Sequence, residues 1–128
     1  MAQRLEREGV ERFVEAWLAQ PLFAGLGPEV QFRSEREENT VEGLAESLRQ
    51  AGTGAQSPLW DRLDRLAMPV LVVAGEADTK FSAEARRLGE SIGDNATVAL
   101  VPGAGHAAHL EAPAAFLDVV RPFLAAGA

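Results

Sequence analysis

The sequence predicts an α/β protein with a helical first half and a second half in which helices alternate with parallel strands. Before residue 66, apolar residues recur at helical spacing. Beyond it, "VLVVAG" and "TVALVPG" are short runs that are apolar on both faces, which is typical of strands buried in a parallel sheet. Segments of helical periodicity follow both runs, so we expect right-handed crossovers between parallel strands.

The first half contains three predicted helices. "RLEREGVERFVEAWLA" (4–19) has helical spacing, with Gly9 as its weak point. The Pro- and Gly-rich segment 20–29 breaks that helix, and "VEGLAESLRQAG" (41–52) restores helical spacing. "SPLWDRLDRL" (57–66) predicts a short helix that starts at its Ser-Pro pair.

In the second half, "FSAEARRLGESIG" (81–93) predicts a helix capped by Ser82, and 112–127 predicts a last helix with Pro113 in its first turn. We therefore divide the chain into a helical segment, 1–66, and a βαβα segment, 67–128. Two strands alone make a marginal sheet. We expect the chain to belong to something larger or to complete its sheet with another copy.

Composition excludes several classes of partner. Apolar residues make up 47% of the 128 residues, enough for one core, and the formal net charge is −7. An acidic chain does not favour a nucleic-acid partner or an anionic membrane surface. No cysteine is present, which excludes disulfides and thiolate chemistry, and the charged N-terminus lacks a signal-peptide stretch. We expect a cytoplasmic protein.

Two candidate chemical groups follow the two predicted strands. Asp78 comes after "VLVVAG", and His106 lies in "GAGH" after the second run. Ligands of open α/β sheets bind beyond the carboxyl ends of the strands, so this pair fits a base and the acid that orients it. The alternatives are a turn or helix-capping role for Asp78 and a surface role for His106. A metal site of His106, His109 and Glu111 is disfavoured, and His109 is expected to pack or cap near a helix start.

Several stretches together resemble a known family. "PVLVVAGEADTKF" and "VPGAGHAAHLEAPAAF" resemble the C-terminal part of the α/β-hydrolase fold, in which the triad Asp and His follow the nucleophile Ser. With "FVEAWLAQPLF" and "RSEREENTVEGLAESLRQAGTGAQSPLW", they are similar to the 2-succinyl-6-hydroxy-2,4-cyclohexadiene-1-carboxylate synthases of menaquinone biosynthesis. The resemblance implies a helical lid in 1–66 and the last two core strands in 67–128.

The resemblance also implies residue roles. Asp78 becomes the triad acid and His106 the triad base. The resemblance makes Trp17, Arg33, Lys80 and Phe81 substrate-binding residues. An acidic protein needs local cations to hold a small-molecule carboxylate substrate, which fits Arg33. The alternatives are a core position for Trp17 and solvated charges for Arg33 and Lys80.

One expected part of the family pattern does not occur. The only G-x-S-x-G sequence, "GESIG" around Ser91, lies at the end of the predicted helix 81–93 and not at the strand-to-helix turn that presents the nucleophile in this fold. The resemblance therefore implies the C-terminal half of a lyase that eliminates pyruvate, inactive alone, with no cofactor and no metal. A carboxylester or carbon–carbon bond hydrolase of the same fold is the first alternative. The second is a non-catalytic half-domain that self-associates as a homo-oligomer or awaits a missing N-terminal half.

Overall fold

The protein folds into two compact units, seen in a computed structural model that describes residues 1–127. The first unit is Met1–Pro58 and the second is Leu59–Ala128. Within 1–127, no helix is long and apolar enough to cross a membrane.

The first unit is helical, as the spacing predicted. It contains α1 (Ala2–Glu8), α2 (Val10–Leu18), α3 (Arg33–Glu37) and α4 (Val41–Gln50), with 3₁₀ turns at Pro21–Phe23 and Pro28–Val30. The prediction of one continuous helix over 4–19 was wrong, because Gly9 adopts φ 80° and ψ 170° and separates α1 from α2. A glycine reaches this backbone conformation without the steric penalty of a side chain.

The core of the first unit lies between α1, α2 and α4. Leu5 of α1 has no solvent exposure, and α1 packs against α4. Thr40 caps α4, since its side-chain oxygen accepts the Gly43 N–H at 3.1 Å. An exposed ion pair between Arg49 and Glu6 also links α4 to α1. The buried apolar residues of this unit are Leu5, Val14, Leu18, Phe23, Leu26 and Ala45.

The second unit contains the sheet. A 3₁₀ segment (Trp60–Arg65) precedes β1 (Val70–Gly75), α5 (Thr79–Ile92), β2 (Ala96–Val101), α6 (Ala108–Glu111) and α7 (Pro113–Ala126). β1 and β2 are parallel, with register from Val70↔Ala96 to Gly75↔Val101, and α5 is the connection between them. The strand–helix–strand–helix order was correctly predicted. The 57–66 segment differs, because it forms a 3₁₀ helix from residue 60 rather than an α-helix.

The sheet is less covered than its sequence predicted. Val70 to Ala74 are only partly buried, although the run is apolar on both faces. Among residues 1–127 each strand has one neighbour, so one edge of each strand carries no strand partner. A small core of Val101, Ala104 and Ala108 lies beneath the carboxyl end of β2, with Val73 and Phe116 packed against it. That core supports the loop that follows β2.

Candidate functional site

Asp78 and His106 meet at the carboxyl edge of the two-stranded sheet. Each follows one strand, and His106 Nδ1 lies 2.9 Å from Asp78 Oδ2. The Asp78 side chain is 9% exposed and the His106 side chain 30% exposed, so the pair is shielded on the acid side and open on the base side. Because an ionised carboxylate only accepts, Nδ1 donates in this hydrogen bond, and in the neutral ring Nε2 is then the nitrogen that can accept a proton.

Backbone hydrogen bonds join the two loops that carry this pair. The Glu76 N–H donates to the Val101 carbonyl at 3.0 Å, and the Ala77 N–H donates to the Ala104 carbonyl at 2.9 Å. Gly75 makes this approach possible, because a Cβ there would overlap the carbonyl oxygens of Ala104 and of the residue that follows it. Backbone hydrogen bonds at the strand ends therefore hold the two loops together independently of their side chains.

The sequence left open whether Asp78 caps a helix or pairs with His106, and in the structure it does both. Its Oδ1 accepts the Phe81 N–H at 3.1 Å and caps α5, while Oδ2 bonds His106. The predicted cap, Ser82, was wrong: its hydroxyl is buried and donates to the Gly75 carbonyl at 2.8 Å. Capping belongs to Asp78 because the helix begins two residues earlier than predicted, at Thr79.

Phe81 and Lys80 extend from the pair toward solvent. The Phe81 ring lies 4.7 Å from the imidazole of His106, centroid to centroid, and Lys80 Nζ lies 5.3 Å from the Phe81 ring. A groove of about 180 Å³ borders the pair along β1 and α5. Its lining includes Val72, Val73, Ala74, Asp78, Phe81, Glu84, Leu88 and His106. The groove combines an apolar wall with the imidazole at one end.

His109 lies apart from this pair. It belongs to α6, is exposed, and meets the Phe116 ring edge-on at 6.0 Å between centroids. Across the described residues 1–127, no group of three or more His, Cys, Asp or Glu side chains could hold a metal ion. The Glu111 carboxylate is bound by backbone N–H groups of the His106 loop instead.

In the first unit, Trp17 lines a largely apolar cavity of about 210 Å³ beside a cation. The guanidinium of Arg36 lies 4.9 Å from the centre of the Trp17 ring, within the range of a cation–π contact. The Arg36 Nε–H donates to the Gln31 carbonyl at 2.8 Å, which holds the side chain in place. The cavity is lined by Phe13, Val14, Trp17, Arg36, Asn39, Leu44 and Leu48.

Arg33, the lid cation that the sequence selected, does not line this cavity. Its Nε bonds Glu37 Oε1 at 2.6 Å on the surface, and its side chain is 49% exposed. That hydrogen bond and the charge of Glu37 raise the pKa of Arg33. Sequence reasoning missed Arg36. The available signal was helical spacing, since Arg36 lies one turn beyond Arg33 on α3, but spacing alone does not show which arginine faces a tryptophan.

Comparison with known proteins shows which family the chain resembles. The profile of the alpha/beta hydrolase family matches residues 2–119. A Bacillus subtilis (strain 168) protein, provisionally named 2-succinyl-6-hydroxy-2,4-cyclohexadiene-1-carboxylate synthase, is 37% identical over 97% of this chain and 47% of its own length. A Salmonella heidelberg (strain SL476) synthase of that name is 34% identical over 96% of this chain and 47% of its own length.

A solved structure described as MenH from S. aureus superposes with a TM-score of 0.90 at 34% identity, covering 97% of this chain and 48% of that one. The chain thus spans about half the length of the curated relatives it matches. Its two strands and flanking helices correspond to the C-terminal half of that structure, as the sequence predicted. The family match covers most of the chain, and the chain belongs to the alpha/beta hydrolase family.

Proposed function

We propose that this chain supplies the acid, the base and the substrate-binding lid of a cytoplasmic enzyme that forms 2-succinyl-6-hydroxy-2,4-cyclohexadiene-1-carboxylate by eliminating pyruvate. The observation that carries the proposal is the 2.9 Å hydrogen bond between His106 and Asp78 at the carboxyl edge of a parallel sheet. Relatives that match nearly the whole chain bear the name of this synthase, which supports the choice of reaction.

In this proposal His106 is the base and Asp78 orients it. Asp78 holds the Nδ1 proton, so Nε2 is the atom that accepts a proton from a serine hydroxyl or from the substrate. The Asp78 carboxylate stabilises the imidazolium that forms, while pyruvate leaves the ring. The only G-x-S-x-G sequence in the chain, residues 89–93 around Ser91, ends helix α5 and does not form a strand-to-helix turn, so the proposal assigns the nucleophile to a part of the enzyme other than this chain.

The lid cavity provides the binding chemistry that a carboxylate substrate requires. Arg36 keeps guanidinium N–H groups beyond the one that bonds Gln31, and the Trp17 ring gives the cavity a flat apolar wall. Arg33 is neutralised by Glu37, so we assign the larger share of anion binding to Arg36 and a secondary share to Arg33. Lys80 and Phe81, which lie near His106 in the second unit, are proposed as further substrate contacts.

Reconstitution tests the proposal. The chain would be combined with the part of the Bacillus relative that it does not match, and pyruvate release from the cyclohexene precursor would be followed with a coupled reductase. We expect the mixture to release pyruvate, the chain alone to release none, and His106→Ala to abolish release in the mixture. A chain that alone turns over p-nitrophenyl esters at enzyme-like rates would contradict the assignment of the nucleophile elsewhere.

A hydrolase of esters or carbon–carbon bonds is the second candidate, because the same acid–base pair serves that chemistry in this fold. The cation beside Trp17 favours the carboxylate substrate over a neutral ester. A panel of neutral esters against the reconstituted enzyme separates the two candidates. Rates on neutral esters above the rate of pyruvate release would favour the hydrolase.

A non-catalytic, self-associating half-domain is the third candidate, and the partly exposed strands Val70–Gly75 and Ala96–Val101 favour it. Light scattering of the purified chain addresses this alternative. A defined oligomer in which no added N-terminal half restores activity would support it. A monomer that unfolds cooperatively would count against it.

A further inference from the structure

The loop that carries His106 is closed by the carboxylate of Glu111. Glu111, the last residue of α6, turns its side chain back toward the start of the loop. Its Oε2 accepts the Gly105 N–H at 2.7 Å, and its Oε1 accepts the Ala107 N–H at 3.0 Å. The two oxygens therefore bind the backbone amides on both sides of His106.

We call these two hydrogen bonds to Glu111 the clamp, and the neighbouring residues leave room for it. A Cβ at position 105 would lie 2.7 Å from Glu111 Oε2, so a glycine is what allows the carboxylate to reach that amide. The Glu111 N–H also donates to the Ala107 carbonyl at 3.0 Å, which closes the loop from the backbone side. Hydrogen bonds from N–H groups to an ionised carboxylate are stronger than those between neutral groups. The clamp is thus a built feature and involves partly buried groups.

We propose that Glu111 is a positioning residue: by fixing both peptide amides that flank His106, it sets the ring so that Nδ1 faces Asp78. The hydrogen bond at Nδ1 joins the ring to Asp78, and the distance between the two groups also depends on where the backbone places the Cα of His106. Hydrogen bonds to the N–H groups of the residues before and after His106 hold that Cα, and with it the point from which the ring reaches Asp78. The consequence for turnover rests on the proposed function, while the effect on the ring does not.

Nuclear magnetic resonance of the imidazole protons in the 128-residue chain tests this inference. The chain has two histidines, so a His109→Gln variant assigns the His106 signals. We expect a slowly exchanging Nδ1–H signal that Asp78→Asn removes. Glu111→Gln keeps the size of the side chain but offers one acceptor for two N–H donors, and should exchange this proton at least about tenfold faster. Glu111→Asp keeps the charge on a shorter side chain, so its Nδ1–H exchange rate should lie between those of the unmodified chain and of Glu111→Gln.

Glu90→Gln is the matched control, because it removes the same charge from an exposed position on α5 of the same unit. It should leave the Nδ1–H signal unchanged. Equal exchange rates in the unmodified chain, Glu111→Gln and Glu90→Gln would overturn the inference. The test also has a readout that needs no variant: in the unmodified chain, the amides of Gly105 and Ala107 must exchange at least about tenfold more slowly than the amide of exposed Asp94 in the same unit.

Kinetics separate this inference from the proposed function. In the reconstituted enzyme, Glu111→Gln should lower kcat about tenfold or more with little change in KM, since it acts through the base and not through substrate contacts. If pyruvate release fails while the imidazole signals behave as expected, only the proposed function is wrong. If release succeeds and Glu111→Gln changes neither kcat nor the Nδ1–H signal, only the role of Glu111 is wrong.

Discussion

The two compact units hold their candidate functional side chains in different ways. Asp78 and His106 are 28 residues apart and meet because two parallel strands deliver them to one edge of a sheet. Arg36 and Trp17 meet within a run of short helices and 3₁₀ turns. The proposed proton-transfer pair needs fixed geometry and is built on a framework of long-range contacts, whereas the cavity beside Trp17 is built from local structure that can adapt to a ligand. Substitutions in the second unit should therefore affect turnover, and those in the first unit binding.

The largest expected effect is that of Asp78→Asn on turnover. Asparagine can still cap α5 through its oxygen, but it removes the charge that holds the Nδ1 proton of His106. In the reconstituted enzyme we expect kcat to fall about 10²- to 10⁴-fold. Urea unfolding should show a change below about 1 kcal/mol, because the cap is retained. Unchanged turnover would contradict the role of the pair and the contrast between the units.

Gly75→Ala tests the framework of the second unit. Its methyl group would overlap backbone carbonyl oxygens of the His106 loop, which cannot move without breaking the hydrogen bonds between the two loops. We expect the free energy of unfolding to fall by about 2–3 kcal/mol in urea titrations. Gly54→Ala is the control in the first unit, where a Cβ meets no atom within 4 Å, and should change stability by less than about 0.5 kcal/mol. Equal losses of stability in Gly75→Ala and Gly54→Ala would contradict the steric role of Gly75.

A comparison of Arg36→Ala with Arg33→Ala tests the proposed substrate-binding role of the first unit. Loss of the cation over Trp17 should raise KM for the carboxylate substrate about tenfold with kcat unchanged, because a charged hydrogen bond to a ligand contributes roughly 1.5–3 kcal/mol. Loss of Arg33 removes an exposed pair with Glu37 and should change KM less than about twofold. A larger increase in KM for Arg33→Ala than for Arg36→Ala would indicate that Arg33 makes the larger contribution to anion binding.

The smallest expected effect is that of Thr40→Ala, which removes the cap of α4. The free energy of unfolding should fall by about 1 kcal/mol, and Thr40→Ser should retain most of it, since a hydroxyl still accepts the Gly43 N–H. Turnover in the reconstituted enzyme should not change. A loss of kcat in Thr40→Ala would show that the first unit also sets the catalytic geometry.

Much of the second unit could be predicted because its signals are local and strong. The β-branched runs specify strands, and the helical spacing between them specifies a crossover, so Asp78 and His106 had to approach one edge. The start of α5 was misplaced because Asp78 and Ser82 are both good capping residues, and only the backbone at Gly75 decides that Ser82 turns inward.

The first unit was harder to predict in detail. The spacing of apolar residues identified its helices, but the break at Gly9 depends on a backbone angle that carries no apolar signal. Arg33 and Arg36 have the same chemistry one helical turn apart, and a cation–π contact with a residue 19 positions earlier depends on how the intervening turns fold. The sequence predicts an arginine in this segment but does not show which of the two lies beside Trp17.

Asp78 bonds the first turn of α5 with one oxygen and the imidazole with the other. Opening of that helical turn and loss of the Asp78–His106 hydrogen bond are therefore coupled. Whenever thermal motion opens that turn, the carboxylate can swing away and the imidazole loses its orienting partner. Opening of this turn therefore lowers the fraction of molecules with an intact pair. Fraying at one helix end thereby limits the share of molecules ready to react, and lengthening the lifetime of that turn would raise it.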